Sequence, residues 1–194
     1  MRVITGTARG RRLTTLEGTD TRPTTDRVKE ALFSIIQFEI EGRRVLDLFA
    51  GSGQLGIEAL SRGAKSAVFV DGSKKAAEVV KKNLEATAFS KSASVVCGDA
   101  IAFLKTRGEK FDIAFLDPPY STGLLQKALE SLPRVMNEGG VIICESPENE
   151  AMPQSAGSFI LQKDTDTAKS AFLFTGYRKV RQTYEQNRNM PRLI

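Results

Sequence analysis

The chain has 194 residues, of which 41% are hydrophobic and 26% are charged, as is ordinary for a globular protein with one sizeable domain. Histidine is absent, which excludes Ser-His and Cys-His catalysis and every His-ligated metal site. No apolar stretch is long enough to span a bilayer, and residues 1–12 hold no signal-peptide core. We therefore expect a cytoplasmic protein with no membrane partner and no metal ion.

The net charge of +5 is unevenly distributed along the chain. Residues 1–29 carry seven basic and three acidic side chains, and residues 178–194 carry five basic and one acidic. Residues 30–177 carry 16 basic and 19 acidic side chains. Basic ends on a mildly acidic body suggest a polyanion held by appended elements, and the predominance of arginine favours phosphate.

The chain begins with a predicted hairpin, in which residues 2–5 pair with residues 11–14 and Gly6 and Gly10 allow the bend. An amphipathic helix is predicted next, from apolar residues at i, i+3, i+4, i+7 and i+8: Val28, Ala31, Leu32, Ile35 and Ile36.

From residue 44 onward, strand and helix patterns alternate. Near-continuous apolar runs predict strands buried on both faces: Val45–Phe49, Ser66–Asp71, Ala93–Cys97, Phe111–Asp117 and Val141–Cys144. The helices predicted between them and after the fourth strand are Leu55–Arg62, Lys74–Ala86, Ala100–Thr106 and Leu124–Val135. This rhythm predicts an α/β fold with a doubly wound, mostly parallel sheet.

The end of the chain departs from this rhythm. Ser158–Gln162 and Ala171–Tyr177 are joined by too few residues for a crossover helix, so we predict an antiparallel pair that ends the sheet. The predicted organisation is therefore an N-terminal extension (1–40), a catalytic domain (41–180) and a frayed tail (181–194). Cys97 and Cys144 follow apolar residues in predicted strands, so we expect buried, reduced thiols.

A glycine motif follows the first predicted strand. Gly51-Ser52-Gly53-Gln54-Leu55-Gly56 is a G-x-G-x-x-G that opens a helix, the context of a nucleoside-cofactor site. Asp71 ends the second strand, where a carboxylate can accept hydrogen bonds from ribose hydroxyls. These features fit NAD, FAD and S-adenosylmethionine alike.

Two further aspartates favour S-adenosylmethionine. Asp47, near the end of the first strand, suits a ligand with an ammonium group and would be unfavourable beside a pyrophosphate. Gly98-Asp99-Ala100 follows the third strand, where a carboxylate or an amide can bind an adenine edge. The structural alternatives are that Asp47 caps a loop amide and that Asp99 caps the following helix.

Asp117-Pro118-Pro119-Tyr120 closes the fourth predicted strand. The prolines fix φ and lack N–H donors, so we expect both carbonyls to be available as acceptors. Asp117 adds another acceptor, and Tyr120 adds a flat face for a base. This group suits methyl transfer to the exocyclic nitrogen of a nucleobase; a proline-rich turn is the structural alternative.

Together, residues 45–53, Gly56, Asp71 and residues 117–120 resemble the Rossmann-like S-adenosylmethionine-dependent amino-methyltransferases. Gly6, residues 9–11 and especially residues 22–33 resemble the bacterial 16S rRNA (guanine-N2)-methyltransferase family, from residue 2 to about residue 177. The resemblance implies that S-adenosylmethionine donates a methyl group to the N2 atom of a guanine in the small ribosomal subunit. We also expect a monomer.

The resemblance assigns roles to three groups of residues. The cofactor group is Asp47, Phe49, Ala50, Gly51, Ser52, Gly53, Asp71, Gly98, Asp99 and Ala100. The catalytic group around the target base is Asp117, Pro118, Pro119 and Tyr120. The group facing RNA phosphates is Arg9, Arg11, Arg12, Arg22, Thr24 and Arg27.

Four alternatives remain at this stage. A DNA adenine-N6 methyltransferase is favoured over a protein-glutamine methyltransferase, because aspartate at position 117 suits nucleobases, whereas asparagine is usual in the glutamine enzymes. A nicotinamide-dependent oxidoreductase would use the same glycines, but the chain has no catalytic histidine and no Tyr-x-x-x-Lys pair. A non-catalytic RNA-binding module would bind RNA without incorporating methyl groups.

Overall fold

The computed structural model describes residues 1–16, 26–106, 108–119, 122–147, 152–163 and 172–179. Within these ranges the strands are β1 (Arg44–Leu48), β2 (Ser66–Asp71), β3 (Ala93–Cys97), β4 (Phe111–Leu116), β5 (Met136–Pro147), β6 (Ser155–Ala156), β7 (Phe159–Lys163) and β8 (Phe172–Lys179). The α-helices are α1 (Asp26–Ile35), α2 (Gln54–Ser61), α3 (Lys74–Ala86), α4 (Ala100–Thr106) and α5 (Leu124–Ser131). None of the helices in these ranges has the length and apolar character needed to cross a membrane.

The strands form one eight-stranded sheet in the order β3-β2-β1-β4-β5-β8-β7-β6. Strands β1 to β5 pair in parallel, whereas β8 pairs antiparallel with both β5 and β7. The predicted doubly wound sheet with an antiparallel C-terminal pair is therefore confirmed, and the short β6 is an addition. The strand order reverses between β1 and β4, and ligands of open α/β sheets bind beyond the carboxyl ends of the strands at such a point.

Successive side chains of a strand point to opposite faces of the sheet, so the core is divided into two apolar layers, one on each face. Val45 belongs to the layer that contains the hairpin, α1, α2 and α3. Its neighbour Leu46 belongs to the layer that contains α4 and α5. Val3 and Leu13 of the hairpin are buried in the first layer, so the N-terminal extension and the sheet share a core.

Two predicted boundaries and one predicted burial differ in the structure, each for a local reason. Residues 132–135 form a 3₁₀ turn, because Pro133 near its start has no N–H to continue α5. β1 ends at Leu48, because Phe49 adopts a φ of 71°. Cys97 is exposed, which corrects the expectation of burial: β3 is the edge strand and only half covered, whereas Cys144 is buried in β5.

The predicted N-terminal hairpin forms, with an antiparallel bridge between Arg2 and Arg12. Its tip lies on the last turn of α2: the N–H groups of Thr7 and Ala8 donate to the carbonyl and the hydroxyl of Ser61, at 2.8 and 3.0 Å. A Cβ on Gly6 would lie 1.8 Å from that carbonyl oxygen, so only glycine allows this approach.

A buried carboxylate on α2 fixes the hairpin strand. Glu58 accepts the N–H groups of Ile4 and Thr5 at 2.8 and 3.0 Å, and also Nε of Arg62 at 2.8 Å. Nζ of Lys29 lies 3.5 Å from Glu58 and donates to the carbonyl of Arg2 at 2.6 Å. Burial lowers the pKa of Lys29, against the opposing effect of Glu58. Removing one partner would leave an uncompensated buried charge.

Candidate active site

The candidate site lies where β1, β2 and β4 end. Leu48 pairs with Val70 of β2 and with Leu116 of β4, so Phe49, Asp71 and Asp117 follow at the same level. Because neighbouring strands lie about 4.8 Å apart, Asp71 and Asp117 are separated by roughly 10 Å across the start of the loop after β1.

That loop begins with strained backbone. Phe49 is a non-glycine residue with a φ of 71°, and the N–H groups of Phe49 and Ala50 both donate to the carbonyl of Val70 at 2.9 Å. Gly51 and Gly53 follow with φ of 54° and 75°. Such backbone persists only where the surrounding structure imposes it, and it concentrates at functional sites.

The first and last glycines of the motif have different roles. A Cβ on Gly51 would have no described atom within 4 Å, so this part of the loop borders open space. A Cβ on Gly56 would lie 2.4 Å from the ring of Phe69 and 3.1 Å from Oδ2 of Asp47. Gly56 therefore allows α2 to pack closely on the sheet, whereas Gly51 leaves room for a ligand.

Asp47 is only 3% exposed, and its Oδ2 accepts the N–H of Gly56 at 2.8 Å. Burial raises the pKa of Asp47 to about 7, opposed by the Gly56 hydrogen bond and assisted by the negative charges of Asp117 and Asp71. No other described residue donates a hydrogen bond to it. Asp47 thus caps the first turn of α2 and not a loop amide, and it remains a buried carboxylate that a cationic ligand would stabilise.

Asp71 holds the glycine loop. Its Oδ2 accepts the N–H of Gly51 and its Oδ1 accepts the N–H of Ser73, both at 2.8 Å. Its main-chain carbonyl accepts the N–H of Gly98 at 2.9 Å, which joins the ends of β2 and β3. Each carboxylate oxygen keeps a second lone pair with which it could accept a ribose hydroxyl.

Asp99 has a demonstrated structural role. Its Oδ1 accepts the N–H of Ala102 at 2.7 Å, so it caps α4 in the way its structural alternative proposed. The other carboxylate oxygen of Asp99 and the main-chain N–H groups of Asp99 and Ala100 could still bind the edge of an adenine.

Asp117 differs from these aspartates because none of the described residues donates a hydrogen bond to its side chain. It is half-buried, and burial raises its pKa to about 6. The carbonyl of Pro118 likewise accepts no hydrogen bond from the described part of the chain. The carbonyl of Pro119, expected to be available, instead accepts the hydroxyl of Thr122 at 2.7 Å, which shapes the turn into α5. Tyr120 lies outside the described residues.

This arrangement of carboxylates fits S-adenosylmethionine, which carries a sulfonium and an ammonium. Asp47, Asp71 and Asp117 surround a glycine loop with open space beside Gly51. Placing a pyrophosphate among three carboxylates would be unfavourable, which disfavours a dinucleotide. Within the described ranges, no cluster of three or more His, Cys, Asp or Glu side chains could hold a metal ion.

The structure places some of the predicted RNA-facing residues. Arg9, Arg11 and Arg12 are exposed on the hairpin, and none of them forms an ion pair with a described residue. Arg22 and Thr24 lie outside the described residues. Arg27 is the second residue of α1, but its side chain also lies outside what is described.

Three buried polar residues near this region were not predicted from the sequence. Glu145 of β5 is level with Asp117, because Cys144 pairs with Leu116. A carboxylate that follows an apolar run was its sequence signal, as it was for Asp117. Glu58 and Asn83, both buried, gave a weaker signal: each is a polar position on the buried face of a helix.

A family model described as Conserved hypothetical protein 95 matches residues 1–176. Ribosomal RNA small subunit methyltransferase D of Escherichia coli is 35% identical over 174 residues, which cover 89% of this chain and 87% of that protein. YlbH of Bacillus subtilis is 41% identical over 181 residues, which cover 91% of this chain and 96% of that protein. The solved structure of yhhF from E. coli has a TM-score of 0.80 at 34% identity, covering 92% of this chain and 97% of that chain.

The fold and the site therefore define a Rossmann-like methyltransferase, and the predicted enzyme class and S-adenosylmethionine cofactor are confirmed. The chain belongs to the Conserved hypothetical protein 95 family.

Proposed function

We propose that this protein transfers a methyl group from S-adenosylmethionine to the exocyclic N2 atom of a guanine in 16S rRNA of the small ribosomal subunit. The observation that carries the proposal is the carboxylate of Asp117, which lies at the end of β4 with no described hydrogen-bond donor. The name of the E. coli relative, a ribosomal RNA small subunit methyltransferase, supports the choice of RNA.

The bound cofactor supplies an electrophilic methyl group. Asp47 and the glycine loop from Gly51 to Gly53 hold the methionine part, Asp71 holds the ribose, and Asp99 with Ala100 lies at the adenine. The three carboxyl groups at this end of the sheet favour a cation over a neutral or anionic nucleotide. Asp71 already holds this loop at Gly51.

Asp117 orients the guanine amine. The lone pair of N2 is delocalised into the ring, and it becomes available when the nitrogen pyramidalises. If Asp117 and the carbonyl of Pro118 each accept one N–H, the lone pair points away from both acceptors, toward the methyl group. The acceleration then comes from positioning and fixed electrostatics. With a pKa of about 6, Asp117 is mostly ionised at neutral pH and accepts without donating.

The hairpin provides the positive charge that attracts RNA, because residues 30–177 carry more acidic than basic side chains. Arg9, Arg11 and Arg12 are exposed there on a scaffold fixed by Glu58 and Ser61. Guanidinium groups match phosphate geometry well. We further propose that the enzyme acts in the cytoplasm as a monomer and without a metal ion.

The decisive experiment compares transfer of a labelled methyl group to four substrates. These are an unmethylated 16S rRNA transcript, small subunits from cells that lack this enzyme, the same transcript made with inosine in place of guanosine, and DNA. We expect labelling of the guanosine transcript or the subunits only, since inosine lacks the exocyclic amine. Labelling of the inosine transcript would exclude N2 as the acceptor, and labelling of DNA adenine would exclude the proposed substrate. Asp117→Ala is the inactive control.

A further inference from the structure

Asn83, on the inner face of α3, is a buried polar residue to which neither cofactor nor RNA binding has been assigned. It is 1% exposed. Its Oδ1 accepts the N–H of Thr14 at 2.7 Å, and its Nδ2 donates to the carbonyl of Thr14 at 3.0 Å and to the carbonyl of Ser52 at 2.9 Å. One amide therefore joins the second strand of the hairpin to the middle residue of the glycine loop.

The loop rests on α3 at this point. A Cβ on Gly53 would lie 3.2 Å from both methyl groups of Val80, one turn before Asn83 on the same helix. The hydroxyl of Ser52 also meets Sδ of Met1 at 3.6 Å, so both ends of the hairpin reach the loop. Asp71 holds the loop at Gly51, and Asn83 holds it one residue further on.

The same hairpin carries the exposed arginines, and Arg12 precedes Thr14 by two residues. RNA phosphates bound to Arg11 and Arg12 would hold this strand in the register that presents both Thr14 groups to Asn83. In that register Nδ2 of Asn83 donates to the carbonyl of Thr14 and to the carbonyl of Ser52. A strand released from Asn83 would leave the side-chain amide of Asn83, which is 1% exposed, without its two bonds to Thr14. The coupling requires that the strand alternate between this bonded arrangement and a released one, and that both ligands favour the first.

We propose that Asn83 is a positioning residue that couples RNA binding by the hairpin to cofactor binding by the glycine loop, so that each ligand raises the affinity for the other. The inference rests on the proposed function and adds a regulatory link to the same site. Because coupling is reciprocal, it can be measured from either ligand.

The test is a binding cycle on the full chain. Calorimetry gives the affinity for S-adenosylhomocysteine with and without a saturating unmethylated 16S rRNA transcript, at one fixed salt concentration. We expect the transcript to tighten cofactor binding by about tenfold in the unaltered protein, within the usual range of coupling. In Asn83→Ala the ratio should fall close to one. Asn83→Asp keeps the acceptor for the Thr14 N–H and loses both donated bonds, so it should lose most of the coupling even if the alanine variant folds poorly.

Ser61→Ala is the matched control, because it loosens the hairpin tip by removing the hydroxyl that bonds Ala8 and Thr5, without touching the glycine loop. It should weaken RNA binding and keep the tenfold ratio. A ratio of one in the unaltered protein, or a full ratio in both Asn83 variants, overturns the coupling and leaves the proposed function standing. If the unaltered protein binds neither S-adenosylhomocysteine nor the transcript, the proposed function itself fails.

Discussion

At the residue scale, two aspartates of the site differ in what surrounds them. Asp47 is buried against α2 with a main-chain donor, whereas Asp117 is half-buried and accepts no hydrogen bond from the described residues. Both have a raised pKa because burial disfavours the charge. The first can therefore be probed through stability and the second through catalysis.

Asp47 should make the cofactor-free protein less stable as the pH rises toward neutrality. The folded protein keeps the proton of Asp47 up to a pKa of about 7, whereas the unfolded chain releases it near the ordinary aspartate pKa of 3.8. In this window the folded state binds more protons, so its stability falls with rising pH and the contribution is lost above pH 7. Asp47→Asn keeps the acceptor for Gly56 and should remove this part of the slope.

The measurement is urea unfolding of both proteins at about pH 5 and about pH 8. Relative to the unaltered protein, the asparagine variant should gain stability at the higher pH. Equal pH slopes would show that folding does not raise the pKa of Asp47.

Asp117→Asn should leave cofactor affinity within a few-fold and reduce the single-turnover methylation rate by about a hundredfold or more. The asparagine side chain has a similar shape, but its oxygen is uncharged and its amino group would repel an incoming amine. Calorimetry with S-adenosylhomocysteine and rapid-quench methylation separate the two effects. A variant with near wild-type rate would refute the role of Asp117 in activating the guanine.

At the scale of elements, the hairpin offers a matched pair of glycines. Gly6 and Gly10 both have positive φ, of 85° and 81°, but only Gly6 faces a neighbour, since a Cβ on Gly10 would meet nothing within 4 Å. Gly10→Ala should therefore cost about 1–2 kcal/mol for its backbone conformation alone. Gly6→Ala should cost clearly more and weaken RNA binding, because the hairpin tip must leave α2. Denaturant unfolding and RNA titration test this; equal losses in the two variants would contradict the packing of the tip.

The arginines of the same hairpin should control the salt dependence of RNA binding. Replacing Arg9, Arg11 and Arg12 with alanine should flatten the log–log salt slope by about two units, since each lost phosphate contact removes roughly 0.7 to 0.9. Cofactor affinity without RNA should not change. If the variant instead loses thermal stability and binds RNA normally at every salt concentration, these side chains cover apolar surface with their stems.

The local sequence pattern predicted the helices and strands well, but it predicted their long-range contacts poorly. Helix α3 and strands β2 and β3 have the predicted bounds, because continuous periodicity and flanking turn residues are local signals. The hairpin partners of Glu58 and Asn83 are Ile4 and Thr14, which lie more than fifty residues away in sequence. Periodicity shows that such a side chain faces inward but not which backbone group it meets. For the same reason, the sequence predicted Asp71 at the cofactor site but not its hold on Gly51.

At the scale of the whole molecule, the two cysteines should differ in how their labelling depends on unfolding of the sheet. Cys97 is exposed on the edge strand, whereas Cys144 is buried in β5 and burial raises its pKa. A thiol reagent at neutral pH should label Cys97 rapidly, and Cys144 only as fast as the sheet opens. Mass spectrometry over a series of urea concentrations should show Cys144 labelling follow global unfolding. Equal labelling rates in the absence of urea would mean that the centre of the sheet opens readily.

The position of β8 in the sheet has a consequence for synthesis of the chain. β8 is the last described strand, yet it lies between β5 and β7. β6 and β7 are therefore translated before the strand that joins them to the rest, and a lone two-stranded hairpin is at best marginally stable. The parallel strands can assemble first, as is usual for nascent chains. Until residue 179 has been synthesised, β5 is an open edge with unpaired backbone groups, the feature through which unfinished chains aggregate.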